Sequence, residues 1–141
     1  MSGPDSIRIV LKGARHDAGA AIKALRHFAA EAGLPAALQN DLSIIVDEVV
    51  SNWLGHGHAG GKPSEMEIQA RLNAGQLHLR FADSGPPYNP LLAPAPYRNL
   101  PLEKRPPGGM GVLLVRELTD LQTYARVGDR NVLELRRSIG K

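Results

Sequence analysis

Alternating apolar and polar residues predict five β-strands along the chain. The first covers residues 7–11, and the next two cover residues 65–72 and 77–81, on either side of the turn sequence Asn-Ala-Gly. These two strands form a hairpin with one buried face, because successive side chains point to opposite sides of a strand. Two final strands are predicted over about residues 121–127 and 131–137, joined through Gly-Asp-Arg.

Apolar residues spaced three to four apart predict helices between these strands. The first helix begins with Asp17 as its cap and ends at Gly33. The second has Pro35 in its first turn and stops in the glycine-rich residues 55–63, while the glycines of residues 108–111 open a third. The apolar stripe of the second helix consists of Leu38, Leu42, Ile45, Val46, Val49 and Trp53.

Residues 86–107 contain eight of the eleven prolines and follow neither a strand nor a helix period. We therefore predict a long ordered or semi-ordered loop, and loops of this length within a compact domain are usually lids, binding loops or disordered segments. We find no internal repeat and no linker that divides the 141 residues, so one domain is expected.

Composition and charge exclude several classes of protein. The chain has no cysteine, which rules out a disulfide framework and a cysteine-based zinc site. No apolar run approaches the roughly 20 residues of a membrane span, and the N-terminal sequence lacks the order of a signal peptide, so a cytoplasmic protein is expected. The net charge is +3, but the basic residues are dispersed and aromatic residues are few. This composition favours a soluble surface or an acidic partner over nucleic acid.

The second predicted helix carries Glu48, Asn52 and His56 at a spacing of four residues, which places the three side chains on one face. A carboxylate can accept a proton or orient a water, and a carboxamide oxygen is a hard ligand suited to Mg²⁺. A histidine at the end of a helix can equally interact with the helix dipole. The alternative for the Glu and Asn pair is the polar face of an ordinary amphipathic helix.

Two further motifs are rich in glycine. Asp83 ends a strand just before Gly85, where a carboxylate can accept a hydrogen bond from an exocyclic amine and a glycine lets the backbone approach a ring. The second motif opens the third helix, where backbone N–H groups can hold phosphate. It consists of Gly109, Met110, Gly111 and Val112. A plain turn and a glycine hinge are the respective alternatives when each motif is taken alone.

The order of these motifs resembles the ATPase superfamily that includes DNA gyrase, heat-shock chaperone ATPases, mismatch-repair ATPases and sensor histidine kinases. Within it the chain resembles in particular the small bacterial anti-sigma-factor serine/threonine kinases. The segments that carry this likeness are EVVSNWLGH, DSGPPYNP and GGMGVLLVREL. The likeness extends from the first predicted strand to the last.

The resemblance implies an α/β fold: a two-layer sandwich of a mixed, mostly antiparallel sheet with helices on one face, forming a single domain over residues 1–141. It also implies ATP and Mg²⁺, with Glu48 as general base and Asn52 as an ATP contact and Mg²⁺ ligand. Asp83 would accept a hydrogen bond from the adenine amine, and Gly85 would admit the ring. The other implied ATP-binding residues are His56, Lys104, Arg105, Gly109, Met110, Gly111 and Val112, with residues 86–107 as the ATP lid.

Two departures from the family pattern bear on kinase competence more than on nucleotide binding. Gly55 stands where many relatives carry a lysine or arginine before the motif histidine. Many relatives also have a threonine in the last strand that supports the adenine-binding aspartate, and here Asn131 or Glu134 is offered instead.

The implied function is that of an ATP-dependent protein kinase that phosphorylates an antagonist protein and otherwise sequesters a sigma factor. No direct contact with nucleic acid or a membrane is expected, and a homodimer is an open possibility for the assembly. One alternative is a switch of the same fold that binds proteins in response to nucleotide without transferring phosphate. A catalytic fragment of a histidine kinase is disfavoured, because no upstream helical pair with a phospho-accepting histidine is present.

Overall fold

The structure, a computed structural model, describes residues 5–14, 16–56, 64–92 and 111–140. Strands and helices follow one another as the sequence predicts. They are β1 (Ser6–Leu11), α1 (Asp17–Glu31), α2 (Ala36–His56), β2 (Met66–Asn73), β3 (Gln76–Asp83), α3 (Gly111–Leu118), β4 (Leu121–Val127) and β5 (Arg130–Ser138). None of the helices in the described ranges combines the length and the apolar composition that crossing a bilayer requires.

The five strands form one sheet in the order β1-β2-β3-β5-β4, and each of these pairings is antiparallel. The sequence predicted a mixed, mostly antiparallel sheet. The antiparallel pairing is confirmed, but the described strands contain no parallel pair, so the sheet formed by these strands is not mixed. Two of the four pairs are hairpins closed by two residues, and so short a connection can only join antiparallel strands.

The hairpin turns explain three positive φ angles. Ala74 and Gly75 connect β2 to β3 with φ angles of 53° and 78°, the positive values that a type I′ turn requires at both central positions. Gly128 opens the two-residue turn between β4 and β5 with a φ of 62°. Both turns match the right-handed twist of their flanking strands, which keeps the registers of the two hairpins fixed.

The core lies between the sheet and the helices. Along β2 and β3 the buried positions alternate as predicted, and the helices bury their apolar stripes against that face of the sheet. Helix α1 packs on β1 and α2, and α3 packs on α2. The largest fully buried side chains are Phe28, Phe81, Leu25, Leu42, Ile45, Met66, Ile68, Leu77, Leu79 and Leu135.

The start of α1 differs from the prediction. Asp17 is the first helical residue and is not the cap; its carboxylate Oδ2 accepts hydrogen bonds of 2.8 Å from the backbone N–H groups of Gly13 and Ala14. The cap position falls on His16, whose side chain makes no capping hydrogen bond. A carboxylate one residue into the helix faces back toward the incoming loop, so Asp17 fixes the approach to the helix.

The end of α1 agrees with the prediction. Gly33 has a φ of +76°, and its N–H donates to the carbonyl of Ala30 while the N–H of Leu34 donates to the carbonyl of Ala29. This pair of bonds is the Schellman motif, which requires a residue in the left-handed region where glycine is favoured. It turns the chain directly into α2.

Candidate functional site

Asp83 closes β3 on the face of the sheet that the helices cover, in step with the buried Phe81 two residues earlier. Its Oδ1 accepts two hydrogen bonds, one of 2.9 Å from the N–H of Gly85 and one of 3.1 Å from Nδ2 of Asn131. Its Oδ2 has no partner among the residues that the structure describes. Both bonds fix the plane of the carboxylate and leave one oxygen to accept a donor from outside.

Asn131 lies directly opposite Asp83 in the β3–β5 ladder and is 5% exposed. Its Nδ2 also donates to the carbonyl of Pro86 at 2.8 Å, while its Oδ1 accepts from the N–H of Tyr88 at 3.0 Å and from the hydroxyl of Tyr124 at 2.5 Å. The orientation of the amide follows from these partners, because Pro86 offers only an acceptor and the Tyr88 backbone only a donor. The side chain therefore makes all four of its hydrogen bonds.

The choice that the sequence left open between Asn131 and Glu134 is resolved by the register. Glu134 points to the opposite face of the sheet, where its Oε2 lies 2.9 Å from Nε2 of His78. Residues of one strand that are separated by three positions cannot share a face. Asn131 therefore supports Asp83, and Glu134 does not.

The first residues after β3 are anchored to the same end of the sheet. Arg126 of β4 donates from Nη1 to the carbonyl of Gly85 at 2.8 Å, and Arg116 of α3 donates from Nη2 to the carbonyl of Leu91 at 2.9 Å. A short 3-10 helix, Pro90–Leu92, follows Asn89, whose Oδ1 accepts the N–H of Leu91 at 2.9 Å. The start of the proline-rich loop is thus held by side chains of β4, β5 and α3.

The polar stripe of α2 is present as predicted for the two residues whose side chains are described. Glu48 and Asn52 are half-buried and make no hydrogen bond to a described residue. Burial raises the pKa of Glu48 above its ordinary value, and the negative charge of neighbouring Asp47 adds to the shift. Asp47 itself is exposed and accepts a hydrogen bond from the hydroxyl of Ser51, so the two adjacent carboxylates have different surroundings.

A chain of hydrogen bonds ties the C-terminal turns of α2 to the end of β3. Nε1 of the buried Trp53 donates to the hydroxyl of Ser64 at 2.8 Å. The next residue, Glu65, exchanges hydrogen bonds of 3.0 Å with Ser84, donating its N–H to the hydroxyl and accepting the backbone N–H. Since Ser84 follows Asp83 and Trp53 follows Asn52, the stripe and the carboxylate lie at one end of the sandwich.

The side of α2 that carries the stripe also contacts β5 and α3. Asp41, seven residues before Glu48 and therefore on the same side of the helix, pairs through Oδ2 with Nη1 of Arg137 at 2.8 Å. The same Nη1 donates to the carbonyl of Leu118 at the end of α3, also at 2.8 Å. Arg137 thus fixes α2 and α3 relative to the last strand.

Other predicted site residues are placed only in part. Gly111 and Val112 open α3 as expected, and His56 ends α2, but the side chains of Val112 and His56 are outside the description. Four predicted residues lie outside the described ranges altogether. They are Lys104, Arg105, Gly109 and Met110.

The donor set can be compared with the groups that the motifs imply. The free Oδ2 of Asp83 fits an amine donor, because an ionised carboxylate can only accept. Among the described residues, no three His, Cys, Asp or Glu side chains converge on a metal position. A single carboxamide such as that of Asn52 fits Mg²⁺, which keeps several waters and takes further oxygens from phosphate.

The sequence matches the model of the histidine kinase-like ATPase domain over residues 14–137. The chain belongs to this family. The family expected from the motifs is thereby confirmed, and an ATPase domain of this type implies ATP binding. Serine/threonine-protein kinase BtrW of Bordetella bronchiseptica is 30% identical over 111 residues, which are 79% of this chain and 78% of the relative.

Solved structures share the fold. The crystal structure of the RsbU and RsbW domains of Rv1364c from Mycobacterium tuberculosis superposes with a TM-score of 0.70 and 17% identity, covering 96% of this chain and 33% of that one. The histidine kinase domain of the blue-light activated histidine kinase from Erythrobacter litoralis EL346 gives a TM-score of 0.57 and 18% identity, covering 87% of this chain and 59% of that one. This chain thus spans only part of both matched structures, and the likeness shows the fold.

Sequence reasoning missed the cationic and phenolic groups around the aspartate. Arg126 and Tyr124 lie on the edge strand β4, which follows β5 in the sheet although it precedes β5 in the chain. Their side chains point to the helix-covered face in alternation with the exposed Ala125. The alternation in β4 was a usable signal for this, but it could be applied only once the strand order was known.

Proposed function

We propose that this protein is a cytoplasmic, ATP-dependent protein serine/threonine kinase that phosphorylates an antagonist protein and otherwise sequesters a sigma factor. The proposal rests on the site at the end of β3: a carboxylate whose one oxygen is held by two donors and whose other oxygen is open. Family membership supports ATP as the nucleotide, and the name of the BtrW relative supports the kinase class. Residues 1–141 act as one ATPase domain in this proposal.

Adenine recognition is assigned to Asp83. Its Oδ2 would accept the exocyclic amine of the base, and the fixed Oδ1 prevents the carboxylate from turning away. Guanine offers a carbonyl oxygen at the corresponding position, and two acceptors repel, so the same site would select against it. Gly85 would let the backbone lie close to the ring.

Proton transfer is assigned to Glu48. Because burial raises the pKa of Glu48, its carboxylate is a stronger proton acceptor than that of an exposed glutamate. It would accept the proton of a substrate serine or threonine hydroxyl. The hydroxyl oxygen would then bond to the terminal phosphorus of ATP as the bond from that phosphorus to the bridging oxygen breaks, and ADP would leave with that oxygen. Such a transfer depends mostly on positioning and on charge stabilisation, so one base and a few ligands are sufficient.

Metal and phosphate binding are assigned to the C-terminal end of α2 and the N-terminal end of α3. Asn52 would supply one oxygen ligand to Mg²⁺, which neutralises phosphate charge when bound. The glycine motif would donate backbone N–H groups to the phosphates at the start of α3. The assigned phosphate contacts are His56, Lys104, Arg105, Gly109, Met110, Gly111 and Val112, with residues 86–107 as the ATP lid.

A second candidate function is a protein-binding switch that responds to nucleotide and transfers no phosphate. Gly55 favours it, because a glycine stands where many similar kinases carry a cation one residue before the motif histidine. The base-recognition end of the site would be unaffected by this change. The two functions therefore predict the same nucleotide affinity and differ in phosphate transfer.

The deciding experiment is single-turnover phosphate transfer from Mg-ATP to a cognate antagonist, with nucleotide affinity measured by calorimetry. Glu48→Gln should preserve ADP affinity and reduce transfer by about 10²–10⁴, the range for loss of a general base. Asp47→Asn is the matched control, since it removes the adjacent exposed carboxylate and should leave transfer within a few-fold of wild type. Asn52→Ala should lower both ATP affinity and transfer, and Asp83→Asn should weaken ADP binding by about 1.5–3 kcal/mol.

Several results would contradict these assignments. A fully active Glu48→Gln protein would exclude Glu48 as the base, and unchanged ADP affinity in Asp83→Asn would exclude Asp83 as the adenine acceptor. Tight ATP binding without transfer by the wild type would favour the switch. Absence of nucleotide binding would overturn both functions.

A further inference from the structure

The face of the sheet opposite the helices carries a cluster of arginine side chains. Alternation along the strands places Arg71, Arg80 and Arg136 on this outer face, since their neighbours Ala70, Leu79 and Leu135 are buried in the core. Arg71 of β2 and Arg136 of β5 lie opposite His78 of β3, one on each side, and Arg80 follows on the same face of β3. We call Arg71, Arg80 and Arg136 the arginine cluster.

Apart from Arg130, which is exposed at the first position of β5, the other charged side chains of the strands on this face are paired. Arg8 contacts Glu67, Lys12 lies 3.0 Å from Glu65, and Glu134 lies 2.9 Å from His78. The three members of the arginine cluster have neither an ion pair nor a hydrogen bond with another described residue. Glu134 stands directly across from Arg80, but its carboxylate is turned toward the histidine. The centre of the outer face is therefore electropositive.

This arrangement costs stability in the isolated protein. Strands are about 4.8 Å apart, so Arg71 and Arg136, two strands apart, are separated by roughly 10 Å at their backbones, which is about one Debye length at 0.1 M salt. Like charges at this distance repel and their fields add. A carboxylate-bearing ligand would remove the repulsion and match the fork geometry of the guanidinium groups.

We propose that the arginine cluster is a docking site for an acidic polypeptide segment of a partner protein. The site lies on the opposite side of the sheet from Asp83 and Asn131, so it does not depend on the nucleotide site. Leu121, directly opposite Arg136 in the ladder and 47% exposed, adds an apolar contact beside the charges. The surface thus fits a segment that combines carboxylates with an apolar side chain.

Charge and composition favour an acidic polypeptide segment over a second copy of the chain and over single-stranded nucleic acid. A second copy of the chain docking face to face would bring the same arginine cluster against itself, because a two-fold interface joins like surfaces. Single-stranded nucleic acid binds through aromatic stacking as well as charge. In the described strands other than β3, Tyr124 is the only aromatic residue. Its side chain lies on the helix-covered face, where it bonds to Asn131, and so it is not available for stacking on the outer face.

The test measures the binding of a short fluorescent glutamate-rich peptide that contains leucine, by anisotropy at low salt. Arg71→Glu and Arg136→Glu should each weaken binding by about three- to tenfold, which combines the loss of an exposed ion pair with the repulsion of the new carboxylate. Lys23→Glu, on the exposed side of α1, makes the same change in net charge and should leave the affinity within about twofold. If thermal unfolding shows that Arg136→Glu lowers the Tm, Arg136→Gln is used in its place.

Four outcomes would overturn the proposal. These are no binding of the peptide by the wild type, equal loss of affinity in Lys23→Glu, tighter binding of single-stranded oligothymidylate than of the peptide, and self-association in sedimentation velocity that the cluster variants abolish. ADP affinity measured on the same variants separates this result from the proposed kinase function. It should not change, because the cluster faces away from the nucleotide site.

Discussion

Replacing Asn131 with aspartate tests whether its four hydrogen bonds hold the end of β3 in place. Asn131→Asp keeps the shape of the side chain and the oxygen that accepts from Tyr88 and Tyr124. It replaces the donating nitrogen with an oxygen, so the bonds to Asp83 and to the carbonyl of Pro86 are lost. It also brings a second carboxylate against Asp83 at a site that is 5% exposed.

The expected loss follows from these two bonds. A bond to a charged group contributes about 1.5–3 kcal/mol and a bond to a neutral carbonyl about 0.5–1.5 kcal/mol, which together give roughly 2–4.5 kcal/mol at pH 7. Repulsion between the two carboxylates adds to this loss, because burial at Asn131 excludes the water that would screen them. The assay is urea unfolding, in which the midpoint should fall with little change in the slope.

The pH dependence separates this cause from a general loss of packing. Two facing carboxylates raise the pKa of the pair above the unfolded value of about 4, so the pair takes up a proton as the pH falls. The proton restores a donor between the two groups, and the deficit in unfolding free energy of Asn131→Asp should therefore shrink from pH 7 to pH 5. Asn131→Leu is the control, since its deficit cannot titrate. A variant as stable as wild type at pH 7, or a deficit equal at both pH values, would refute the reasoning.

Two smaller predictions concern α2 and the first hairpin. Glu48→Gln should stabilise the protein at neutral pH. Because the pKa of Glu48 is raised in the folded protein, ionisation of this carboxyl lowers the stability of the wild type as the pH rises through the unfolded and then the folded pKa. In urea unfolding, the advantage of the variant should disappear below the ordinary pKa of 4.5, and a variant less stable than wild type at pH 7 would contradict the prediction. Ala74→Gly should raise the unfolding free energy by about 0.5–1 kcal/mol, because a φ of 53° is unfavourable for alanine but not for glycine. Thermal unfolding measures this change, and a lower Tm would contradict the turn assignment.

Local patterns were sufficient to predict the elements. Alternation identified the strands, the three-to-four spacing identified the helices, and Gly33 marked the end of α1 because only a left-handed residue completes its Schellman motif. The prediction of Asp17 as the helix cap was wrong by one residue, because the cap position is His16. A carboxylate can serve the loop before a helix as well as the helix itself, and sequence spacing does not distinguish the two.

The contacts around Asp83 needed information that local patterns do not contain. Asn131 is 48 residues away in sequence, and its partnership with Asp83 depends on β5 lying next to β3 in an exact register. A shift of one residue would have placed Val132 opposite Asp83 and turned Asn131 to the outer face. The sequence could therefore suggest Asn131 or Glu134 as alternatives, but only the pairing of the strands decides between them.

The two halves of the candidate site are built in different ways, and this bears on how they would work together. Asp83 is held by donors from the turn and from β5, so the orientation of the carboxylate proposed to recognise the base is fixed by the fold itself. Glu48 and Asn52 have no hydrogen-bond partner among the described residues, so the α2 half is left open to water, metal or substrate. A preorganised half reduces the entropic cost of binding, whereas unpaired polar groups gain interactions only when a reactant arrives. ADP affinity should consequently depend on Asp83 and its support, and the rate of any transfer should depend on Glu48. Asn52 would affect both ATP affinity and transfer through Mg²⁺, so the comparison of Asp83→Asn with Glu48→Gln is the one that separates binding from chemistry.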